Sequence, residues 1–240
     1  EYLNNFSIEY SFANNINADG LEKIYKSRVE RIAYCRNLCL EHIYQNSSED
    51  SIIYIPLDLD IDLFKHITVS DFENLIYSFI DDVSSDAYFP VSTPYYYDIF
   101  ALRSKNWLTI NSQQIIQKLK KIFVIGSFIL NYFYIFRKQI DVKKFKGEKL
   151  KVISAFGGAG MYKFDHNELE KVRYHLSKEN PEFISEHIFF NSYFENLYIF
   201  TKWVIPAPEE HVYFKILNFQ DKVIYFLKTI KFDLKKLIRR

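Results

Sequence analysis

Short runs of β-branched and aromatic residues alternate along this chain with segments of helical periodicity. The run at 51–57 (SIIYIPL) predicts a fully buried strand, and the runs at 87–92 and 197–205 have the same character. The segments 21–44 and 167–178 place apolar residues at helical spacing. This alternation predicts an α/β fold, a sandwich with a mostly parallel sheet. In such sheets, ligands bind at the carboxyl ends of the strands.

The charge balance and the cysteines narrow the class of protein. The chain has 31 Lys and Arg against 30 Asp and Glu. A general nucleic-acid-binding protein shows a basic excess, so we expect no nucleic-acid partner. The two cysteines, Cys35 and Cys39, have a spacing that suits neither a CxxC redox pair nor a structural zinc site. We expect two reduced thiols, which favours a cytoplasmic location.

Three aspartates at alternate positions, Asp58, Asp60 and Asp62, follow the run at 51–57. Like charges at the end of a strand share one face and repel each other. A bound Mn²⁺ or Mg²⁺ removes this repulsion, and its remaining ligands are typically substrate phosphates and water. His211, in a loop after the last predicted strand, is a further candidate ligand. The alternative is a solvated acidic turn and an exposed histidine.

Glycine is concentrated in one segment, SAFGGAG at 154–160, which holds three of the six glycines. Gly157 and Gly158 permit positive φ and close approach of a ligand to the backbone, so we interpret the segment as a surface on which a substrate lies. The alternative is a bulged or tightly bent pair of strands. The segment matches neither the dinucleotide-binding pattern nor the phosphate-binding loop of ATPases.

Other polar residues have the chemistry to contact a nucleotide or a sugar. Arg36, beside Asn37 on a predicted helix, is suited to bind a diphosphate through two hydrogen bonds. Asp98 is suited to accept hydrogen bonds from sugar hydroxyls, and a charge on an edge strand is its alternative role. Ser185 is suited to cap a helix and to place Glu186 in its first turn. Glu186, followed by His187, is then a candidate general base for an acceptor hydroxyl, with plain helix capping as the alternative.

Five segments occur in one order: RIAYCRN (31–37), PLDLDID (56–62), YYDIFALR (96–103), SAFGGAGMYK (154–163) and SEHIFFN (185–191). Together they resemble the GT-A type of nucleotide-sugar glycosyltransferase. They are most similar to the branch containing fungal capsule-associated α-1,3-mannosyltransferases and their bacterial capsule or lipopolysaccharide relatives. The resemblance implies a Rossmann-like three-layer sandwich with a mostly parallel central sheet. It also implies sugar transfer from a UDP- or GDP-sugar to a glycan or lipid-linked acceptor hydroxyl, in surface polysaccharide synthesis.

The resemblance assigns residues to the metal, the donor and the acceptor. The implied ligands of Mn²⁺ or Mg²⁺ are two of the aspartates Asp58, Asp60 and Asp62. The residues implied to contact the donor are Arg36, Asn37, Asp98 and Arg103. Those implied on the acceptor side are Gly157, Gly158, Glu186 and His187, of which the last two are the catalytic candidates.

Two other classes of function stay open at this stage. The chain also suits a catalytically inactive carbohydrate-binding or scaffold domain of the same fold, or a metal-dependent phosphotransferase or nuclease that uses the three aspartates. One departure concerns the first nucleotide-binding strand, for which only the run at 6–12 is available before the helix at 21–44. We expect that strand upstream of Glu1, in a longer protein, or missing. The predicted glycosyltransferase domain spans 1–215.

The segment 216–240 predicts a separate basic amphipathic helix. Its last 20 residues hold seven Lys and Arg and two Asp. The apolar residues at helical spacing are Ile224, Leu227, Ile230, Leu234 and Leu237. The pattern predicts peripheral contact with the inner face of a membrane or, alternatively, docking on the domain itself. The uncharged run at 122–136 is too short to span a bilayer, so we expect a buried or interface helix there.

Overall fold

A computed structural model describes residues 19–58, 61–62, 65–122, 126–176 and 184–238. The helices are α1 (Leu21–Ile24), α2 (Arg28–Asn46), α3 (Val69–Asp81), α4 (Ser112–Ile122), α5 (Ser127–Asn131), α6 (His166–Leu169), α7 (Glu186–Asn191), α8 (Glu209–Ile216) and α9 (Phe219–Ile238), with a π-helical turn (Tyr132–Phe136) and a 3₁₀ turn (Val142–Lys144). The strands are β1 (Ser51–Tyr54), β2 (Ala87–Thr93), β3 (Lys149–Val152), β4 (Met161–Asp165) and β5 (Leu197–Pro206). The predicted strand at 6–12 and the side chain of Asp60 lie outside the described residues.

The five strands form one mixed sheet in the order β1-β4-β2-β5-β3. Strands β2 and β5 are parallel, whereas β1 and β4, β2 and β4, and β3 and β5 are antiparallel. The prediction of an α/β fold is confirmed, but the prediction of a mostly parallel sheet is wrong. The reason lies in the glycine segment, which turns at the edge where β2 ends. Because β4 leaves from that edge, it must run back antiparallel to β2.

Strand β1 lies at the edge of the sheet. It pairs with β4, and only its last residue is buried, so the prediction of a fully buried strand there is wrong. Beyond the strand, Leu57 forms an isolated bridge with Ala159. The backbone N–H of Asp58 then donates to the carbonyl of Gly158 at 2.8 Å. This pairing brings the acidic segment beside the glycine segment.

Apolar clusters cover both faces of the sheet. On one face, Leu40 of α2 and Phe190 of α7 pack in the same cluster as Phe89 of β2. On the other face, Phe79 of α3 packs in the same cluster as Tyr88, also of β2. Neighbouring residues of a strand point to opposite faces, so β2 contributes to both clusters and is completely buried up to its last residue. The core therefore fixes β2 as the centre of the fold.

Several helices differ from the sequence prediction. The helix predicted over 21–44 is broken at 25–27, where the N–H of Ser27 donates to Glu30 Oε2 at 3.1 Å and α2 begins. The helix predicted over 167–178 ends after one turn, at Leu169. The strands predicted at 87–92 and 197–205 are confirmed as β2 and β5.

The uncharged run at 122–136 contains α5 and the π-helical turn, and no residue of these two elements is buried. Of the two expected roles for this part of the run, a buried helix is wrong, whereas an interface helix agrees with its contacts with α9 and α8. Within the described ranges, we find no helix with both the length and the apolar character that a membrane crossing requires.

Candidate active site

A cavity of about 700 Å³ opens at one edge of the sheet. Strands β1, β2 and β5 run in the same direction, because β4 is antiparallel to both β1 and β2, and β2 is parallel to β5. Their carboxyl ends therefore meet at this edge. Asp58, Asp98 and His211 follow the three strands, and all three line the cavity. The cavity thus lies at the carboxyl ends of three strands, where the sequence predicts a ligand site.

Arg36 of α2 joins three predicted site residues inside the cavity. Its Nη2 donates to Oδ1 of Asp58 at 2.9 Å, and its Nη1 donates to Oε1 of Glu186. The Arg36 side chain is 14% exposed and that of Glu186 is 7% exposed, so this ion pair is largely shielded from water. Asp58 is 41% exposed and faces the open part of the cavity. Arg36 thus bridges a buried carboxylate and an accessible one.

The same guanidinium determines the tautomer of His187. Nη1 of Arg36 lies 2.6 Å from Nε2 of His187. Since arginine can only donate, Nε2 must accept, and the neutral ring carries its proton on Nδ1. His187 is held at the start of α7, where Ser185 Oγ accepts its backbone N–H at 3.3 Å. The predicted helix cap is confirmed, and it places Glu186 and His187 at the cavity.

The ring of Phe156, which is not among the predicted site residues, contacts both the His187 ring and the Arg36 guanidinium. Its ring stacks on His187 with the ring centroids 3.6 Å apart, and the Arg36 guanidinium carbon lies 4.8 Å from its centroid. On another side, the guanidinium lies 5.5 Å from the ring of Tyr174. These cation–π contacts add to the ion pairs that hold Arg36 in place.

Burial shifts the proton affinities of this group. Burial raises the pKa of Glu186 above its ordinary value, and the charge of Arg36 opposes the shift. Burial lowers the pKa of His187 well below its ordinary value, and Arg36 adds to this effect. Burial by itself would lower the pKa of Arg36, but Glu186, Tyr174 and Asp58 outweigh it and leave that pKa raised. Arg36 is therefore a permanent cation beside a neutral histidine.

The two carboxylate oxygens of Asp98 tie the glycine segment to the loop that carries Asp98. Oδ2 accepts the backbone N–H of Gly157 at 2.9 Å, and Oδ1 accepts that of Ala101 at 3.1 Å. Gly157 and Gly158 have φ values of 70° and 90°. A Cβ on Gly158 would lie 2.6 Å from Cγ1 of Ile61, too close for a real contact. The segment is therefore a tight turn that brings bare backbone to the cavity at Gly158.

A second set of hydrogen bonds ties this turn to α7. Asn191, fully buried, donates from Nδ2 to Ser154 Oγ at 2.9 Å and to the carbonyl of Ala155 at 2.8 Å. Its Oδ1 accepts the hydroxyl of Tyr162 at 2.9 Å. The helix that carries Glu186 and the glycine segment are consequently parts of one rigid support.

Two of the four residues predicted to contact the donor bind backbone groups outside the cavity wall. Asn37 bonds through its amide to the N–H and the carbonyl of Tyr174, at 2.8 and 3.0 Å. Arg103 is 9% exposed and donates to the carbonyls of Phe100 and Leu102. Burial lowers the pKa of Arg103 to about 10, although Asp98 opposes the shift. Neither side chain lines the cavity.

The predicted metal ligands occupy different surroundings. Asp58 lines the cavity, Asp62 is exposed away from it, and Asp60 is outside the described residues. His211 stacks on Tyr97 with centroids 5.2 Å apart. Across the part of the chain that the structure describes, no three His, Cys, Asp or Glu side chains are grouped so as to hold a metal ion. Of those ligands that the structure describes, Asp58 alone combines a carboxylate with a place in the cavity wall.

The wall opposite α2 was not predicted. Ile135 and Phe136, at the end of the π-helical turn, line the cavity together with Gln139. The Nε2 of Gln139 donates to the carbonyl of His211 at 2.7 Å, which joins this wall to α8. The sequence of the uncharged run at 122–136 does not indicate that it lines a cavity, because its apolar residues are also typical of a core.

Seven predicted site residues line this one cavity: Arg36, Asp58, Asp98, Gly158, Glu186, His187 and His211. Gly157 lies beside it through its hydrogen bond to Asp98. Comparison of the chain with protein-family models, with curated proteins and with solved structures finds no match.

Proposed function

We propose that the protein is a metal-dependent glycosyltransferase. In this proposal it moves a sugar from a UDP- or GDP-sugar to a hydroxyl of a glycan or lipid-linked acceptor during surface polysaccharide synthesis. The observation that carries the proposal is the position of Arg36 between Asp58 and Glu186 in one cavity. It combines a cation suited to a diphosphate with a carboxylate suited to a metal ion and another suited to proton transfer.

The donor side of the proposal rests on charge. Breaking the bond between the anomeric carbon and the diphosphate oxygen leaves negative charge on the diphosphate. Arg36 would bind that charge, and Arg28 also lines the cavity. A cavity of about 700 Å³ falls in the size range of small-molecule sites and would admit a nucleotide sugar.

A divalent ion fits the accessible carboxylate of Asp58. Mg²⁺ is commonly held by one or two carboxylates together with substrate phosphates, so Asp58 and the donor diphosphate would supply ligands of the right kind. When bound, such an ion supplies positive charge against the departing diphosphate. Asp62 is exposed and outside the cavity wall, which argues against a site that uses all three aspartates.

The acceptor side rests on Glu186. Its burial raises its pKa, so it binds a proton more readily than an exposed carboxylate does. For an inverting reaction, Glu186 removes the proton from the acceptor hydroxyl as the new bond to the anomeric carbon forms. For a retaining reaction, it contacts the acceptor or the sugar. The donor diphosphate competes with Glu186 for Arg36, so donor binding would make Glu186 available.

The alternative is an inactive carbohydrate-binding or scaffold domain. The mutual pairing of Arg36 with Asp58 and Glu186 favours it, because a purely structural ion-pair cluster would have the same contacts. Incubation of the protein with common UDP- and GDP-sugars, with Mn²⁺ or with a chelator, separates the two. We expect Mn²⁺-dependent release of the nucleoside diphosphate. Absence of release and of Mn²⁺-dependent donor binding for every donor would support the inactive domain.

A further inference from the structure

The C-terminal helix α9 is attached to the protein along one side. Asp233 is 4% exposed, and its Oδ2 accepts the backbone N–H groups of Gly126 and Ser127 at 3.1 and 3.0 Å. The ring of Phe128 in α5 packs against Phe226 with centroids 5.0 Å apart. These contacts fix which side of α9 faces the domain.

A different side of α9 carries an unpartnered apolar stripe. We define the apolar stripe as Val223, Leu227, Leu234 and Ile238, which are 41, 57, 41 and 84% exposed. At 3.6 residues per turn, these four side chains fall within a sector of about 60°. The apolar stripe therefore continues along the helix from its second turn to its end.

Lysines border the apolar stripe. Lys228, Lys231 and Lys235 are exposed, and the helical spacing places Lys231 next to Leu227 and Leu234 on the same surface. In the same part of α9, the one acidic side chain among the described residues is buried Asp233. Aliphatic residues flanked by exposed positive charge are complementary to a surface that is both apolar and anionic.

We propose that the apolar stripe and its bordering lysines dock on an anionic lipid bilayer, with α9 lying in the interface. Aliphatic side chains enter the boundary between headgroups and acyl chains, and lysines contact anionic headgroups. The proposal does not depend on the chemistry of the cavity. It does place the bilayer against a helical unit that includes α5, which continues through the π-helical turn into the cavity wall at Ile135 and Phe136.

Sedimentation with lipid vesicles tests the proposal. We expect the full chain to bind vesicles of phosphatidylcholine mixed with phosphatidylglycerol, and to bind pure phosphatidylcholine far more weakly. The triple variant Lys228→Gln, Lys231→Gln and Lys235→Gln should lose about a hundredfold in affinity for the mixed vesicles. The double variant Leu227→Glu and Leu234→Glu should lose more than about tenfold.

The matched control is the double variant Ile24→Glu and Val83→Glu, which alters exposed apolar residues elsewhere and should bind mixed vesicles like the unaltered chain. Because all substituted side chains are exposed, each variant should melt at the same temperature as the unaltered chain. Equal binding to both kinds of vesicle, or unchanged binding by the lysine variant, would overturn the proposal. A concentration-dependent dimer that Leu227→Glu disrupts, without vesicle binding, would show that a second copy covers the face and would also overturn it.

Discussion

Nη2 of Arg36 lies 2.9 Å from Oδ1 of Asp58, and this contact joins a helix that precedes β1 to the segment that follows it. The backbone of Asp58 is fixed as well, because its N–H donates to Gly158. The carboxylate is thus oriented from two directions while remaining 41% exposed. Such a carboxylate is preorganised for a ligand that reaches it through the cavity.

Asp58→Asn should abolish metal-dependent donor binding. The amide keeps the shape of the side chain but loses the charge that attracts a divalent ion. We expect the thermal stabilisation by Mn²⁺ with a UDP- or GDP-sugar to disappear. The matched control is Asp62→Asn, which changes an exposed aspartate outside the cavity wall and should leave the stabilisation intact. Loss of the stabilisation in Asp62→Asn alone would contradict the assignment to Asp58.

Glu186→Gln should reduce transfer by about a hundredfold to ten-thousandfold if Glu186 is the general base. Because the pKa of Glu186 is raised and a general base acts in its ionised form, the rate of the unaltered protein should fall as pH decreases, at a higher pH than for an exposed glutamate. The variant should lack this limb of the pH profile. The control is Glu210→Gln, at an exposed glutamate on the cavity wall. It should retain both the rate of transfer and the fall of that rate at low pH. Identical profiles for all three proteins would exclude Glu186 as the base.

His187 should lower the stability of the folded state at acidic pH. Its pKa is lowered in the folded state, so its contribution to stability is complete above the unfolded value of about 6.5 and is lost as pH falls below it. We expect the melting temperature to decrease between about pH 7 and about pH 5.5. His187→Gln, which can still accept from Arg36 but does not titrate, should show a smaller decrease. Parallel curves for the two proteins would refute this source of acid sensitivity.

Gly158→Ala should destabilise the protein more than Gly157→Ala. Both glycines have positive φ, so either substitution strains the backbone by about 1 to 2 kcal/mol. At Gly158 the new methyl group would also meet Ile61 at 2.6 Å, whereas at Gly157 its closest neighbour is the Pro90 carbonyl at 3.6 Å. Overpacking adds about 1 to 3 kcal/mol. Urea denaturation measures both free energies of unfolding, and equal losses would show that Ile61 moves aside.

Local sequence signals predicted elements better than they predicted their arrangement. Three features were found because each depends on adjacent residues. They are the β-branched and aromatic runs of β2 and of β5, and the cap at Ser185. The position of β1 at the edge depends on its pairing with β4, for example of Ser51 with Asp165, more than a hundred residues away. No local pattern contains that information, so the predicted strand directions were wrong.

In the candidate site, too, local features were predicted better than long-range contacts. Asp58 was found because the end of the run at 51–57 is a local feature that determines where the next side chains lie. Asp98 was assigned from its chemistry, and it lies in the loop after β2. Arg103 was assigned to the donor because its segment resembles a block of the glycosyltransferase family, but the direction of its side chain cannot be read from the sequence. Phe156 and Gln139 were missed because phenylalanine and glutamine are common in supporting roles, and their importance here comes from long-range contacts with His187 and His211.

Because the π-helical turn forms part of the cavity wall, the shape of the cavity depends on the number of residues in that turn as well as on their identity. The N–H of Arg137 donates to the carbonyl of Tyr132 at 2.9 Å, five residues earlier, so this turn contains one residue more than an α-helical turn does. Removing one residue would restore α-helical winding inside the turn, because a single extra residue is what widens it. The residues on either side would keep their register, whereas side chains within the turn, such as Ile135 and Phe136, would be redirected. Deletion of one residue would thus reshape this wall of the cavity while leaving the charged residues of the cavity in place.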